Sequence, residues 1–130
     1  MRTQEEKDLL LKDLCARLPY GVVIQEKCVE HDKTFLPNKE VDRLINIDTH
    51  ADLLMTNCGS SYYLDEIKPY LFPMSSMTEE QNLEYLQTCK GGNYGVPTLK
   101  SFEWCNENHF DYRGLIPMGL ANDATGLNIY

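Results

Sequence analysis

No stretch of this chain approaches the roughly 20 consecutive apolar residues that cross a bilayer, so no membrane span is expected. The opening Met-Arg-Thr-Gln-Glu-Glu-Lys lacks the apolar segment of a secretory leader, which points to a cytoplasmic protein. Basic residues are scarce, with 12 Lys and Arg against 20 Asp and Glu for a formal net charge of −8. Nucleic-acid binders carry a basic stripe to meet the phosphates, so direct nucleic-acid binding is not expected. An acidic surface serves solubility, and it also suits a basic protein partner or an imitation of DNA. Cysteine occurs five times, at Cys15, Cys28, Cys58, Cys89 and Cys105, an odd number with no Cys-x-x-Cys pair. That spacing excludes a zinc ribbon and a disulfide framework, and a reducing compartment is the simple reading. The run Gly91-Gly92-Asn93-Tyr94-Gly95 fits neither phosphate-cradling glycine motif. No serine sits in a Gly-x-Ser-x-Gly elbow. Internal repeats and low-complexity segments are missing too.

What is present fits a single globular domain over residues 1–130, with 42% hydrophobic and 25% charged residues. A chain of this size buries roughly two thirds of its unfolded surface, enough for a core without metal or disulfide. The expected class is α+β: an N-terminal helix, a small antiparallel sheet of three to four strands, and two to three C-terminal helices on one face of it.

Thr3 and Glu6 form a capping box that opens a helix from about Gln4 to Arg17, closed by Pro19. Leu10, Leu11, Leu14, Cys15 and Leu18 make a wide apolar stripe. Residues 20–30 are rich in β-branched side chains, and the alternation puts Val22 and Ile24 on one strand face and Val23 on the other. Residues 31–40 read as a loop with Phe35 and Leu36 folded back on the core. Leu44 to Asp48 and Leu53 to Thr56 suggest a hairpin, with Ile45 and Ile47 inward. Residues 62–67 fit a short helix or a fourth strand equally well.

Residues 67–86 are the pivot of the chain. A residue before proline leaves the helical region, so Lys68-Pro69 and Phe72-Pro73 predict an extended crossing from Lys68 to Met74. At least two of Tyr70, Leu71 and Phe72 should be buried, clamping the front half to the rear. Thr78 and Gln81 then form a second capping box, with Glu79 and Glu80 in the first turn. Gly91 and Gly92 stop that helix, and Thr98 caps a further one to about Asn108, with Phe102 and Cys105 on one side and Trp104 partly exposed. Residues 122–130 read as an irregular tail.

Two clusters carry chemical potential. Asp48-x-His50-x-Asp52 would present three metal-type ligands on one strand face, but a turn at His50 breaks that relation and Asp in turns bonds its own backbone; no metal is expected. His109-x-Asp111-x-Arg113, with Phe110 and Tyr112 interleaved, offers a ligand site: Arg113 as anion anchor, Tyr112 or Phe110 as stacking face, His109 as donor and Asp111 as its orienter. The competing reading is a structural lock, with Arg113 paired to Asp111 or capping carbonyls near a helix end and the aromatics in the core. A Cys105–His109 nucleophile pair is one helical turn apart but lacks an orienting group other than Asp111.

Segments 11–20, 67–81 and 109–121, the last running into Asp123-Ala-Thr-Gly-Leu-Asn-Ile-Tyr130, resemble a family of short proteins from gut Bacteroidota and their phages and mobile elements. The resemblance implies a bacterial or phage setting and transfers no residue role. The reading that follows is a small, non-catalytic binding protein acting on host defence or regulation through a host or phage protein. The alternative is a nucleotide- or anion-binding protein, or a hydrolase, using His109, Asp111, Tyr112 and Arg113. No cofactor is expected.

Overall fold

The computed structural model describes residues 2–26, 42–51, 53–57, 59, 61–91 and 95–130. The expectations for Phe35, Leu36 and the loop around them, and for Cys28 and Cys58, lie outside these residues. The chain is α+β, and among the described residues no helix is long and apolar enough to cross a membrane.

Helix α1 (Gln4–Arg17) opens on the expected box: Glu6 N–H donates to the Thr3 hydroxyl at 3.1 Å and Thr3 N–H donates to the Glu6 carboxylate at 2.9 Å. Two orphan donors are satisfied reciprocally. Leu10 and Leu14 are fully buried, but Cys15 is exposed. Asp13 and Arg17 occupy the buried flank that the apolar pattern assigned to Cys15. A 3-10 turn, Leu18–Tyr20, follows, and Gly21, at φ 65°, bends the chain into β1 (Val23–Glu26) in a left-handed conformation that suits glycine.

The sheet is larger than expected and mixed. Strands β2 (Asp42–Asp48), β3 (Leu53–Thr56), β4 (Ser61–Tyr63), β5 (Ile67–Pro73), β6 (Phe110–Asp111) and β7 (Asn122–Asp123) join β1 in the order β4-β3-β2-β1-β5-β6, with β7 also paired to β5. The first five are antiparallel to their neighbours, whereas β6 and β7 run parallel to β5. Residues 62–67 resolve into the end of β4, a 3-10 turn at Leu64–Glu66 and the start of β5. A register shift between Leu44 and Asn46 overturns one expectation. Ile45 becomes the extra residue of the bulge and is 59% exposed, while Ile47 packs against the core.

The proline-rich crossing is strand β5, with Tyr70 and Leu71 buried and Phe72 partly so. It does more than clamp two halves, since β1, β6 and β7 all bond to it. Period-two alternation then divides the apolar side chains. Val22, Ile24, Ile67 and Leu71 join α1 in the larger core cluster; Val23, Tyr70 and Phe72 join Ala124, Leu127, Ile129 and Tyr130 in a second. The tail is therefore not merely irregular: it supplies β7 and most of the second cluster.

Helices α2 (Glu79–Thr88) and α3 (Leu99–Glu107) form an appended pair. Thr98 ties them: its hydroxyl donates to the Thr88 carbonyl at 2.7 Å and its N–H donates to Ser101 Oγ at 2.9 Å. Tyr85 of α2 packs on Trp104 of α3 with ring centroids 5.7 Å apart. None of the residues of α2 is buried, whereas α3 buries Ser101, Cys105 and Asn106.

Candidate functional site

The four residues singled out at 109–113 follow α3, and the structure sends their side chains to different partners. His109 turns the chain into β6 at φ 64°, and its carbonyl accepts from Phe72 N–H at 2.8 Å. Its ring stacks on Tyr130, centroids 3.7 Å apart and planes 13° apart. Burial, reinforced by the positive charges of Arg17 and Arg43, pushes its pKa down to about 4, and Nδ1 has no hydrogen-bond partner among the described residues. Asp111 does not orient this imidazole. Its carboxylate accepts from Leu115 N–H at 2.8 Å and Ile116 N–H at 2.9 Å, fixing the turn after β6.

Arg113 does not pair with Asp111 either. Its Nε donates to Asp13 Oδ1 at 3.1 Å, and a second nitrogen donates to the Tyr112 hydroxyl at 2.9 Å. Tyr112 lies between cations, its ring centre 4.8 Å from the Arg113 guanidinium carbon and 5.5 Å from that of Arg17. Its outer side meets Phe102 at 5.0 Å.

The group that gathers these elements is Arg17, on the far side of the sequence. Nε donates to Asp13 Oδ2 at 2.8 Å and a terminal nitrogen donates to the Phe110 carbonyl at 2.6 Å. A longer bond reaches the Cys105 carbonyl at 3.4 Å. Asp13 and Arg17 are both wholly buried, so α1, α3 and β6 meet on one paired, desolvated charge. Sequence reasoning passed over this pair, although Asp13 and Arg17 stand at i, i+4 beside Leu10 and Leu14; that spacing on an apolar flank was the available signal.

Tyr130 completes the cluster from the other side. Val23 N–H donates to its hydroxyl at 2.9 Å and the hydroxyl donates to the Tyr70 carbonyl at 2.7 Å, bridging β1 and β5. Burial raises its pKa beyond the normal tyrosine range. Arg43 donates to the Gly21 carbonyl at 3.1 Å and the Ile129 carbonyl at 3.3 Å.

Cys105 is buried and its pKa is pushed up to about 11 by desolvation, which keeps it a thiol. At the hairpin, Asp48 Oδ1 accepts from His50 N–H at 3.0 Å and Ala51 N–H at 3.2 Å, the backbone role open to Asp in turns. Asp52 lies outside the described residues. Among those described, no three His, Cys, Asp or Glu side chains come together as metal ligands.

The exposed apolar side chains concentrate elsewhere. Leu83 is 62%, Val96 60% and Leu99 75% exposed, and Phe102 is exposed one turn after Leu99. Leu86, one turn after Leu83, packs at Gly95 beside Val96, linking the α2 leucines to the α3 set. Compared with protein-family models, curated proteins and solved structures, the chain matches none significantly.

Proposed function

We propose that this protein is a small, non-catalytic binding module that docks a partner protein on the α2–α3 pair. The observation that carries the reading is that no residue of α2 is fully buried while Leu83, Val96 and Leu99 remain more than half exposed. Apolar side chains scattered singly over a surface need no explanation, whereas a group carried on one helix pair marks an interaction site. Four or five large apolar anchors with a polar surround are enough for a hot-spot cluster.

The anion-binding alternative has less to support it. Arg113 is already engaged by Asp13 and Tyr112, both oxygens of Asp111 serve backbone donors, and the His109 ring is covered by Tyr130. The resemblance to phage-borne proteins of gut Bacteroidota makes a bacterial host protein the first partner to seek.

The test is a paired capture from a Bacteroidota lysate with wild-type protein and the Leu83→Ser/Leu99→Ser variant, followed by mass spectrometry of proteins and of small molecules released on heating. A protein retained by the wild type and lost by the variant is expected. Equal retention by both, or release of a stoichiometric nucleotide, overturns the reading.

A further inference from the structure

The leucines of the α2–α3 pair stand among carboxylates. On α2, Glu79 and Glu80 precede Leu83 by one turn, at i−4 and i−3, and Glu84 follows it. On α3, Glu103 follows Leu99 by one turn and Glu107 lies one turn further. All five are exposed, and none forms an ion pair among the described residues. Lys90 and Lys100 are the basic residues between Glu79 and Glu107. Residues three and four apart are neighbours on a helix surface, so Leu83 and Leu99 each have a free carboxylate beside them.

Helix stability accounts for only part of this charge. Glu79 and Glu80 lie in the first turn of α2, where the helix dipole favours an acid. Glu84 lies beyond that turn, Glu103 stands at the centre of α3 where the dipole gives it no support, and Glu107 ends α3 where the dipole disfavours negative charge. Glu103 beside Leu99, like Glu79 and Glu80 beside Leu83, instead has the form of an interface rim, in which charge steers and selects a partner around an apolar centre.

Resting on the docking reading above, we infer that the occupant of this surface is a basic protein segment, one that presents apolar side chains to Leu83 and Leu99 and Lys or Arg to the surrounding glutamates. A second copy of this chain is disfavoured, because it would set five carboxylates against five. The net charge of −8 extends the same selection to long range.

A random-peptide display library panned on the intact protein tests this, with three proteins compared: wild type, Leu83→Ser/Leu99→Ser, and Glu79→Gln/Glu80→Gln/Glu103→Gln. Enriched peptides are expected to combine apolar residues with a net positive charge. Their affinity should fall about tenfold or more on the serine variant, the loss of desolvated apolar anchors. On the glutamine variant it should fall several-fold, with a flatter dependence on salt. Peptides that need the leucines but carry no basic excess overturn the charge assignment and leave the docking surface standing. Peptides indifferent to the leucines, or no enrichment at all, overturn both. A dimer in sedimentation that the serine variant abolishes overturns the assignment in favour of self-association.

Discussion

Asp13 and Arg17 are joined at 2.8 Å with both side chains fully removed from solvent. A buried pair of this kind is only modestly stabilising as a whole, but breaking it strands a charge. Asp13→Asn is therefore expected to cost roughly 3–5 kcal/mol. Replacing both partners with apolar residues, Asp13→Leu with Arg17→Met, should cost less than Asp13→Leu alone. Urea denaturation of the three variants measures the difference; an Asp13→Asn variant as stable as wild type would show the pair to be incidental.

Arg113 shares that carboxylate from a less buried position. Were its task ligand capture alone, Arg113→Ala would leave stability untouched. Because it bonds the second Asp13 oxygen, a loss of about 1–2 kcal/mol is expected, the range for a hydrogen bond to a charged group. An unchanged urea midpoint would return Arg113 to the list of ligand residues.

His109 makes a pH prediction whose sign is fixed by burial. Its pKa falls from 6.5 to about 4 on folding, so between those values the unfolded chain takes up a proton that the folded chain refuses. The native state is not penalised by this group above pH 6.5 and loses stability as pH falls from there toward 4, on the order of 3 kcal/mol in total. The control is His109→Asn, since asparagine tolerates the positive φ at this position. Stability curves from pH 7 to 4 should be steeper for wild type than for the variant; parallel curves would sink the claim.

Tyr130→Phe keeps the ring stack on His109 but removes the hydroxyl that serves Val23 N–H. A buried donor left unpaired costs about 1–3 kcal/mol. Faster amide exchange at Val23 is the specific signature, and a variant that retains wild-type protection there would contradict the bridge.

Thr78→Ala removes one cap of a helix with no fully buried residue, at a local cost of about 1 kcal/mol. Hydrogen exchange should quicken along α2 while the strands keep their protection. Coupled loosening of the sheet would mean that the helix pair is integral to the core.

Much of the architecture could be read from local chemistry. The boxes at Thr3 and Thr78 and the strand enforced by Pro69 and Pro73 each depend on residues a few positions apart. So does the split of Val22 and Ile24 from Val23. What escaped was non-local. The two-residue strands β6 and β7 are too short to show any period, and they exist because β5 offers them unpaired backbone. Ile45 broke its pattern at a bulge, which one extra residue creates without any compositional mark. At 109–113 the residue types were visible but their partners were not: Arg113 found Asp13, 100 positions away, and His109 found Tyr130. Nothing in the local pattern separated Leu83 and Leu99, which are exposed, from leucines such as Leu10 and Leu14, which are buried.

The dependence of β5 on distant segments has a consequence for how the chain comes to life on the ribosome. Its first five strands and α1 emerge early, yet one side of β1 and β5 stays bare until Ala124, Ile129 and Tyr130 have been made. Val23 must wait uncovered for most of translation and Tyr70 for much of its second half, so a nascent chain stalled before residue 122 should be a ready substrate for chaperones.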